Sequence, residues 1–273
     1  MPRYALLIAY RGEGFHGWQR QPGLVTVQQV IEEAAARLNG GVVPTVTAAG
    51  RTDSGVHAAG QVAELEVAAA LAPERLRAAL DFHTRPHPLS IRAAALAPEG
   101  WSPRFSAVMR HYRYRILNHP ARPALEDGQV WHVPQALDAA AMHRAAQLLL
   151  GKHDFSAFRA ASCQAKDALR TLSRLEVRRV GEEVHILASA RSFLHHQVRN
   201  LVGTLHAVGR GMQDEGWPRR VLDGRDRRLA GQTAPPEGLC FMAVEYPCGL
   251  AWCPPALQLL ESHDPGLYSP CSR

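Results

Sequence analysis

The string Arg51-Thr52-Asp53-Ser54-Gly55-Val56-His57 sets a carboxylate beside an arginine, a hydroxyl, a glycine and an imidazole. An aspartate on a loop held by rigid strands can act as a nucleophile or a base, provided a nearby cation keeps it ionised. Arg51 is one candidate for that cation. The same residues also make an ordinary turn, since Asp bonds backbone groups two residues on and Gly accepts positive φ. Taken alone, the string leaves both readings open.

Other residues invite chemistry and carry plainer readings beside it. Arg199 falls in an apolar-periodic stretch with Phe193, Val198, Leu201 and Val202, read as a helix over 193–208; the plainer reading is a surface arginine whose aliphatic stem lies on the core. Tyr112 and Tyr114 alternate with Arg113 and Arg115 on a strand, and one tyrosine of such a pair commonly belongs to the core. His195 and His196, read as adjacent helix positions, would point about 100° apart and not converge on one ion. Gly12, Gly14 and Gly17 meet the spacing G-x-G-x-x-G, but Trp18-Gln19-Arg20-Gln21-Pro22 stands where a helix would have to open, which excludes a dinucleotide loop. The five cysteines, Cys163, Cys240, Cys248, Cys253 and Cys271, are odd in number and scattered. They suggest no disulfide framework, and Cys248 and Cys253 lack the C-x-x-C spacing of a zinc clip, so no metal site is expected.

The longer string Ala49-Gly50-Arg51-Thr52-Asp53-Ser54-Gly55-Val56-His57-Ala58-Ala59-Gly60-Gln61-Val62 resembles the catalytic signature of the TruA-type tRNA pseudouridine synthases. Further family-like pieces follow in the family's order through most of the chain. They are Gly17-Trp18-Gln19-Arg20-Gln21, Arg104-Phe105-Ser106-Ala107, Arg110-His111-Tyr112-Arg113-Tyr114, Gly151-Lys152-His153-Asp154-Phe155, Phe193-Leu194-His195-His196-Gln197-Val198-Arg199-Asn200-Leu201-Val202-Gly203 and Glu237-Gly238-Leu239.

The resemblance implies that Asp53 is the catalytic aspartate, Tyr112 the tyrosine that contacts the uracil and Arg199 the basic partner of Asp53. It implies isomerisation of uridines at positions 38, 39 and 40, in the anticodon arm of tRNA, by a homodimer that needs no cofactor. A catalytically silent tRNA-binding or tRNA-folding protein on the same scaffold is the rival reading, and the joint presence of Asp53, Tyr112 and Arg199 weighs against it. Arg51, Arg104 and Arg110 are expected substrate contacts. Arg20, Arg113, Arg115, Arg159, Lys166 and Arg170 cluster in or beside the same segments and mix with Phe105, Phe158 and Tyr112, as RNA bound through phosphates and stacked bases requires. The chain departs from the family pattern over 81–89, at Gln197 where methionine is common, and at Ser54 in place of the commoner alanine.

The elements that must position these residues follow from periodicity. An apolar run over 4–10 predicts a strand, and Thr26 and Gln29 mark a possible capping box before a helix carried by Val27, Val30, Ile31, Ala34 and Leu38. Strands are expected over 42–49 and, with half-exposed alternation, around 63–67, so that the Asp53 loop joins two strands. A helix from Pro73, strands over 91–96 and 110–117, a helix over 138–150, a hairpin turning at Gly181 and a strand over 241–246 complete the order. The fold class is α+β: two related domains, each an antiparallel sheet with helices on one face, flanking a basic cleft. The expected domains are 1–100 and 101–248, with a Pro-rich peripheral tail over 249–273.

Bulk composition agrees with a polyanionic partner. Lys and Arg number 31 against 25 Asp and Glu in 273 residues, a formal charge of +6. No apolar run approaches the ~18 residues that span a bilayer, and the N-terminus shows no signal h-region, so no membrane association and a cytoplasmic location are expected.

Overall fold

The computed structural model describes residues 1–247 and Leu250. In chain order its elements are β1 (Arg3–Tyr10), α1 (Val27–Ala36), β2 (Thr47–Ala48), β3 (His57–Glu66), α2 (Pro73–His83), β4 (Leu89–Leu96), β5 (Met109–Leu117), β6 (Trp131–His132), α3 (Ala139–Gln147), β7 (Gly151–Asp154), β8 (Leu169–Val180), β9 (Glu183–Ala190), α4 (Gln197–Gly209), α5 (Trp217–Gly224) and β10 (Leu239–Glu245). The α+β class expected from the sequence is the one observed.

Contacts divide the described residues into two units, Met1–Val108 with those from Phe241 onward, and Met109–Cys240. This differs from a boundary at residue 100. Segment 101–108 stays with the first unit because the Val108 N–H donates to the Glu245 carbonyl at 2.9 Å and the Tyr246 hydroxyl donates to the Pro103 carbonyl at 2.8 Å. The expected tail over 249–273 lies outside the described residues, apart from Leu250.

In the first unit the strand order is β4-β1-β3-β10, with β2 also paired to β3. Leu6 of β1 sits between Ala63 of β3 and Ala94 of β4, both antiparallel. The expected strand over 42–49 shrinks to Thr47–Ala48, because Pro44 has no N–H for a ladder and Val42 and Val43 are exposed. The half-exposed alternation expected around 63–67 is observed, with Ala63, Leu65 and Val67 buried, Glu64 intermediate and Glu66 exposed. His57 to Ala63 are all buried, since β3 lies between β1 and β10, and only the far end alternates. Helix α1 forms where Val27, Val30, Ile31 and Ala34 fall on one buried face, and Thr26 caps it by accepting the Gln29 N–H. Such a cap contributes about 1 kcal/mol. The capping box is only half made: the Gln29 side-chain amide donates onward to Glu33 rather than accepting the Thr26 N–H.

In the second unit the order is β5-β9-β8-β7, antiparallel throughout, with the short β6 parallel to β5. The β8–β9 hairpin turns at Gly181 as expected. Helix α3 packs on β8 and on α4. β6 and β7 are too short to show a period of two, and α5 is a brief helix started by Pro218, so none was legible as an element. The helix expected over 193–208 begins only at Gln197. His196 adopts a left-handed backbone (φ 62°) that interrupts any helical run from Phe193.

Candidate active site

Asp53 is half-buried in the loop between β2 and β3, and the loop's shape is set by the segment after β1. The Trp18 N–H donates to the Thr52 carbonyl at 3.0 Å, while the Phe15 carbonyl accepts the Ser54 hydroxyl at 3.2 Å and the Gly55 N–H at 3.4 Å. The buried Tyr10 and Thr52 hydroxyls bond at 2.8 Å. Tyr10 reaches Thr52 from a register shift where β1 meets β3, the kind of local irregularity that re-aims a side chain. At the other end of the loop, the Gly12 N–H donates to Nδ1 of buried His57 at 2.9 Å, and Gln61 ties the Gly50 carbonyl at 2.8 Å. Asp53 is thus bracketed by residues whose backbone is fixed on both sides.

The clasp explains two glycines that looked like an abortive dinucleotide motif. A Cβ on Gly12 would stand 2.4 Å from the Val56 carbonyl oxygen, and one on Gly17 would stand 2.8 Å from that of Thr52. Gly17 also has φ +80°. Their spacing therefore serves close backbone packing of two loops of the same unit. Phe15 and Trp18 complete the support, each buried and each within 6.3 Å, centroid to centroid, of the Tyr10 ring. Local pattern does not mark Tyr10, Phe15 and His57 as supports; the signal in the sequence is the spacing of Gly12 and Gly17. Segment 81–89, where the chain departs from the family pattern, joins this support. The His87 ring lies 5.9 Å from Phe15, and the Arg11 N–H donates to the Pro88 carbonyl.

In the second unit Tyr112 and Tyr114, two apart on β5, share a face, and both are buried. Tyr114 is the core residue of the pair. Its hydroxyl donates to the Pro235 carbonyl at 2.7 Å, and burial raises its pKa well above the usual phenol range, with Glu237 adding to the rise and Arg199 opposing it. Tyr112 instead meets the half-buried Phe193 edge-to-face at 5.2 Å. Arg199, in the first turn of α4, donates from Nε to the Ala234 carbonyl at 2.8 Å. His195 and His196 are not helix neighbours: they form the turn before α4, and their rings lie 4.0 Å apart, so the angular reason for keeping them apart does not hold.

A family model described as tRNA pseudouridine synthase matches residues 6–106 and 145–247. The chain belongs to the tRNA pseudouridine synthase family. Among its relatives, tRNA pseudouridine synthase A of Acidiphilium cryptum is 60% identical over 247 residues, which cover 90% of this chain and 97% of the relative. The proteins of that name from Methylobacterium nodulans and Rhodospirillum rubrum are 54% and 53% identical, again over 90% of this chain and over 97% and 88% of their own lengths. Asp53 and Arg199 lie inside the stretches matched to the pseudouridine synthase model, and Tyr112 lies between them.

The cations expected to meet RNA on this synthase are not alike. Arg51 and Arg104 are exposed. Arg110 is buried and donates to the Arg191 carbonyl just beyond β9. Arg20 donates to buried Glu32 at 2.9 Å, Arg115 grips Glu183 with two donors at 2.8 and 2.5 Å, and Arg113 is buried. Arg170 is held by Asp167. Of the three aromatic residues grouped with them, Phe158 is fully buried and Tyr112 nearly so, whereas Phe105 stands out in solvent. A chain of arginines along a strand marks both core ion pairs and surface cations, and only the packing distinguishes them. Among the described residues no helix is long and apolar enough to cross a membrane. Cys248 and Cys253, weighed as a metal clip, lie outside the described residues.

Proposed function

We propose that this synthase isomerises uridine to pseudouridine at positions 38, 39 and 40 of tRNA, in the anticodon arm, with Asp53 as the catalytic carboxylate. The observation that carries the reading is the two-sided clasp on the Asp53 loop, inside a stretch matched to the family. Rigid placement of a carboxylate within a narrow tolerance is what a covalent or base role demands.

The reaction breaks the C1′–N1 bond, turns the uracil, joins C5 to C1′ and moves the C5 proton to solvent or N1. Atoms balance without redox change or group transfer, so no cofactor is needed. Asp53 acts as nucleophile or base toward the nucleoside. Arg199, always protonated, is proposed as its counter-charge, and Tyr112 supplies an aromatic face and a phenol to the turning base. Arg51 and Arg104, both exposed, are proposed phosphate contacts; Arg110 contributes by fixing the end of β9. The enzyme is proposed to act as a homodimer in the cytoplasm.

The test is pseudouridine mapping on unmodified tRNA incubated with wild type and with Asp53→Asn, alongside tRNA binding. Asp53→Asn should abolish conversion and leave affinity within a few-fold, because binding rests on phosphate contacts spread over many cations. Conversion near the wild-type rate would remove Asp53 from the mechanism. A wild type that binds tRNA and converts nothing would favour the catalytically silent reading.

A further inference from the structure

We infer that Phe105 is a stacking platform for an unpaired base of the tRNA, with Arg104 as the cation that accompanies it. The inference rests on the proposed tRNA substrate and adds a binding site to it. Phe105 is 77% exposed. Among the described residues the other exposed phenylalanine is Phe82, set edge-on to the neighbouring His83 in the last turn of α2. Phe105 differs in company and in mounting. The Arg104 guanidinium carbon lies over its ring, 5.4 Å from the centroid. A cation on a ring face and a base on an aromatic face are the two recurring elements of single-strand recognition, and the guanidinium can turn from the ring to a phosphate.

The mounting is rigid. Ser102 and Ser106 close the turn on itself, the Ser106 N–H donating to the Ser102 carbonyl at 3.0 Å and the Ser102 N–H to the Ser106 hydroxyl at 3.1 Å. Before the turn, buried Trp101 packs 5.2 Å from Tyr246 and its carbonyl accepts from Arg3. Tyr246 also bonds the Pro103 carbonyl, and Val108 is tied to Glu245 after the turn. A loop that could fold its phenylalanine inward would do so, since burying the ring is favourable. Here the turn is fixed at both ends and holds the ring outward. An aromatic ring held in solvent by a fixed turn, with a cation on it, is preorganised to receive a flat π-face.

The test uses the full-length protein and an unmodified tRNA transcript, comparing wild type with Phe105→Ala, Phe105→Leu, Phe105→Trp and Arg104→Ala. Affinity is read by filter binding over a salt series, and conversion is read under single-turnover conditions with saturating tRNA. Phe105→Ala and Phe105→Leu should each weaken binding about tenfold or more, with the slope against salt unchanged and the saturated rate within twofold of wild type. Phe105→Trp should restore wild-type affinity, because the indole keeps a π-face that leucine lacks. Arg104→Ala should lower the salt slope by about one ion if the guanidinium meets phosphate. Wild-type affinity in Phe105→Ala, or a Phe105→Leu variant that binds as well as Phe105→Trp, would overturn the stacking role on an active enzyme. A wild type that converts no uridine would instead break the functional reading, so the two failures are separate.

Discussion

The Asp53 loop and the β5–β9 face of the second unit hold functional-looking side chains by opposite means. Around Asp53 the loop is held by backbone carbonyls, three hydroxyls, one imidazole and two glycines that let the chains touch. On β5 and β9 the work falls to charge: Arg115 grips Glu183 with two donors, and His185 donates to the same carboxylate at 2.7 Å. The first arrangement should not tolerate added volume at Gly12 or Gly17. The second should tolerate small changes of volume and not the loss of a charge. The contrast is between backbone packing around the proposed catalytic carboxylate and a charged cluster on a sheet face.

The sharpest way to break the comparison is Gly12→Ala. The added methyl has only backbone to meet, at 2.4 Å, so the two loops must separate. A shift of about 1 Å in a reacting group costs on the order of 100-fold in rate, which is the loss expected under the proposed role of Asp53. Single-turnover conversion should fall by about that factor, while tRNA affinity holds. A variant of wild-type rate would show that the glycine contact does not set the position of Asp53.

Arg115→Met should do the reverse. It leaves Glu183 largely buried without its main partner, at a cost of about 3 kcal/mol, the lower end of the range for breaking a buried pair because both side chains keep some solvent exposure. Urea unfolding should show the loss, and the single-turnover rate of the folded fraction should stay near wild type. If rate falls with stability, the two regions are not separable in function.

Acid should act on the second unit mainly through Glu183 and His206, with His185, whose pKa burial also lowers, adding in the same direction. Burial alone would raise the Glu183 carboxyl, but hydrogen bonds from Arg115 and His185 more than offset it and bring its pKa to about 2. A carboxyl depressed in the fold stabilises above its ordinary range, and that contribution is lost as pH falls from about 4.5 toward 2. His206 is lowered to about 4, first by burial and then by Arg210. It lies against Trp131, ring centroids 4.5 Å apart. Its neutral form is the one the fold accepts, so the unfolded chain binds the proton more readily between about 4 and 6.5, and stability falls as pH is lowered through that window. His206→Leu should flatten the upper part of the stability curve and leave the Glu183 part in place. An unchanged slope between pH 4 and 6.5 would remove His206 from the account.

Tyr10→Phe gives the smallest effect. It deletes one buried hydroxyl–hydroxyl bond, worth about 1 kcal/mol, or roughly fivefold in an equilibrium. If the bond mainly orients Thr52 and hence Asp53, single-turnover conversion should drop about fivefold with little change in affinity. If it only stabilises the fold, unfolding will show the loss and the rate will not.

Much of this was legible in the residues themselves. The Asp53 loop between strands, the Thr26 cap, the helix started by Pro73, β5 and the Gly181 hairpin depend on local chemistry: a period of two or 3.6, a side-chain cap, a fixed proline φ, a glycine turn. The string around Asp53 also determined the family, because it is long and its order is kept along the chain. What the sequence could not determine was which of several like residues faces inward. Tyr112 and Tyr114 have the same strand pattern, and only packing makes Tyr114 core. Arg104 and Arg115 are both arginines beside aromatics, yet one lies on an exposed ring and the other closes on a half-buried glutamate. The start of α4 moved four residues because the left-handed backbone at His196 is a tertiary constraint with no glycine to announce it. Gly12 and His57, far apart in the chain, meet only when β1 and β3 pair, and that long-range pairing, invisible to any local period, is what brings the clasp around Asp53 into being.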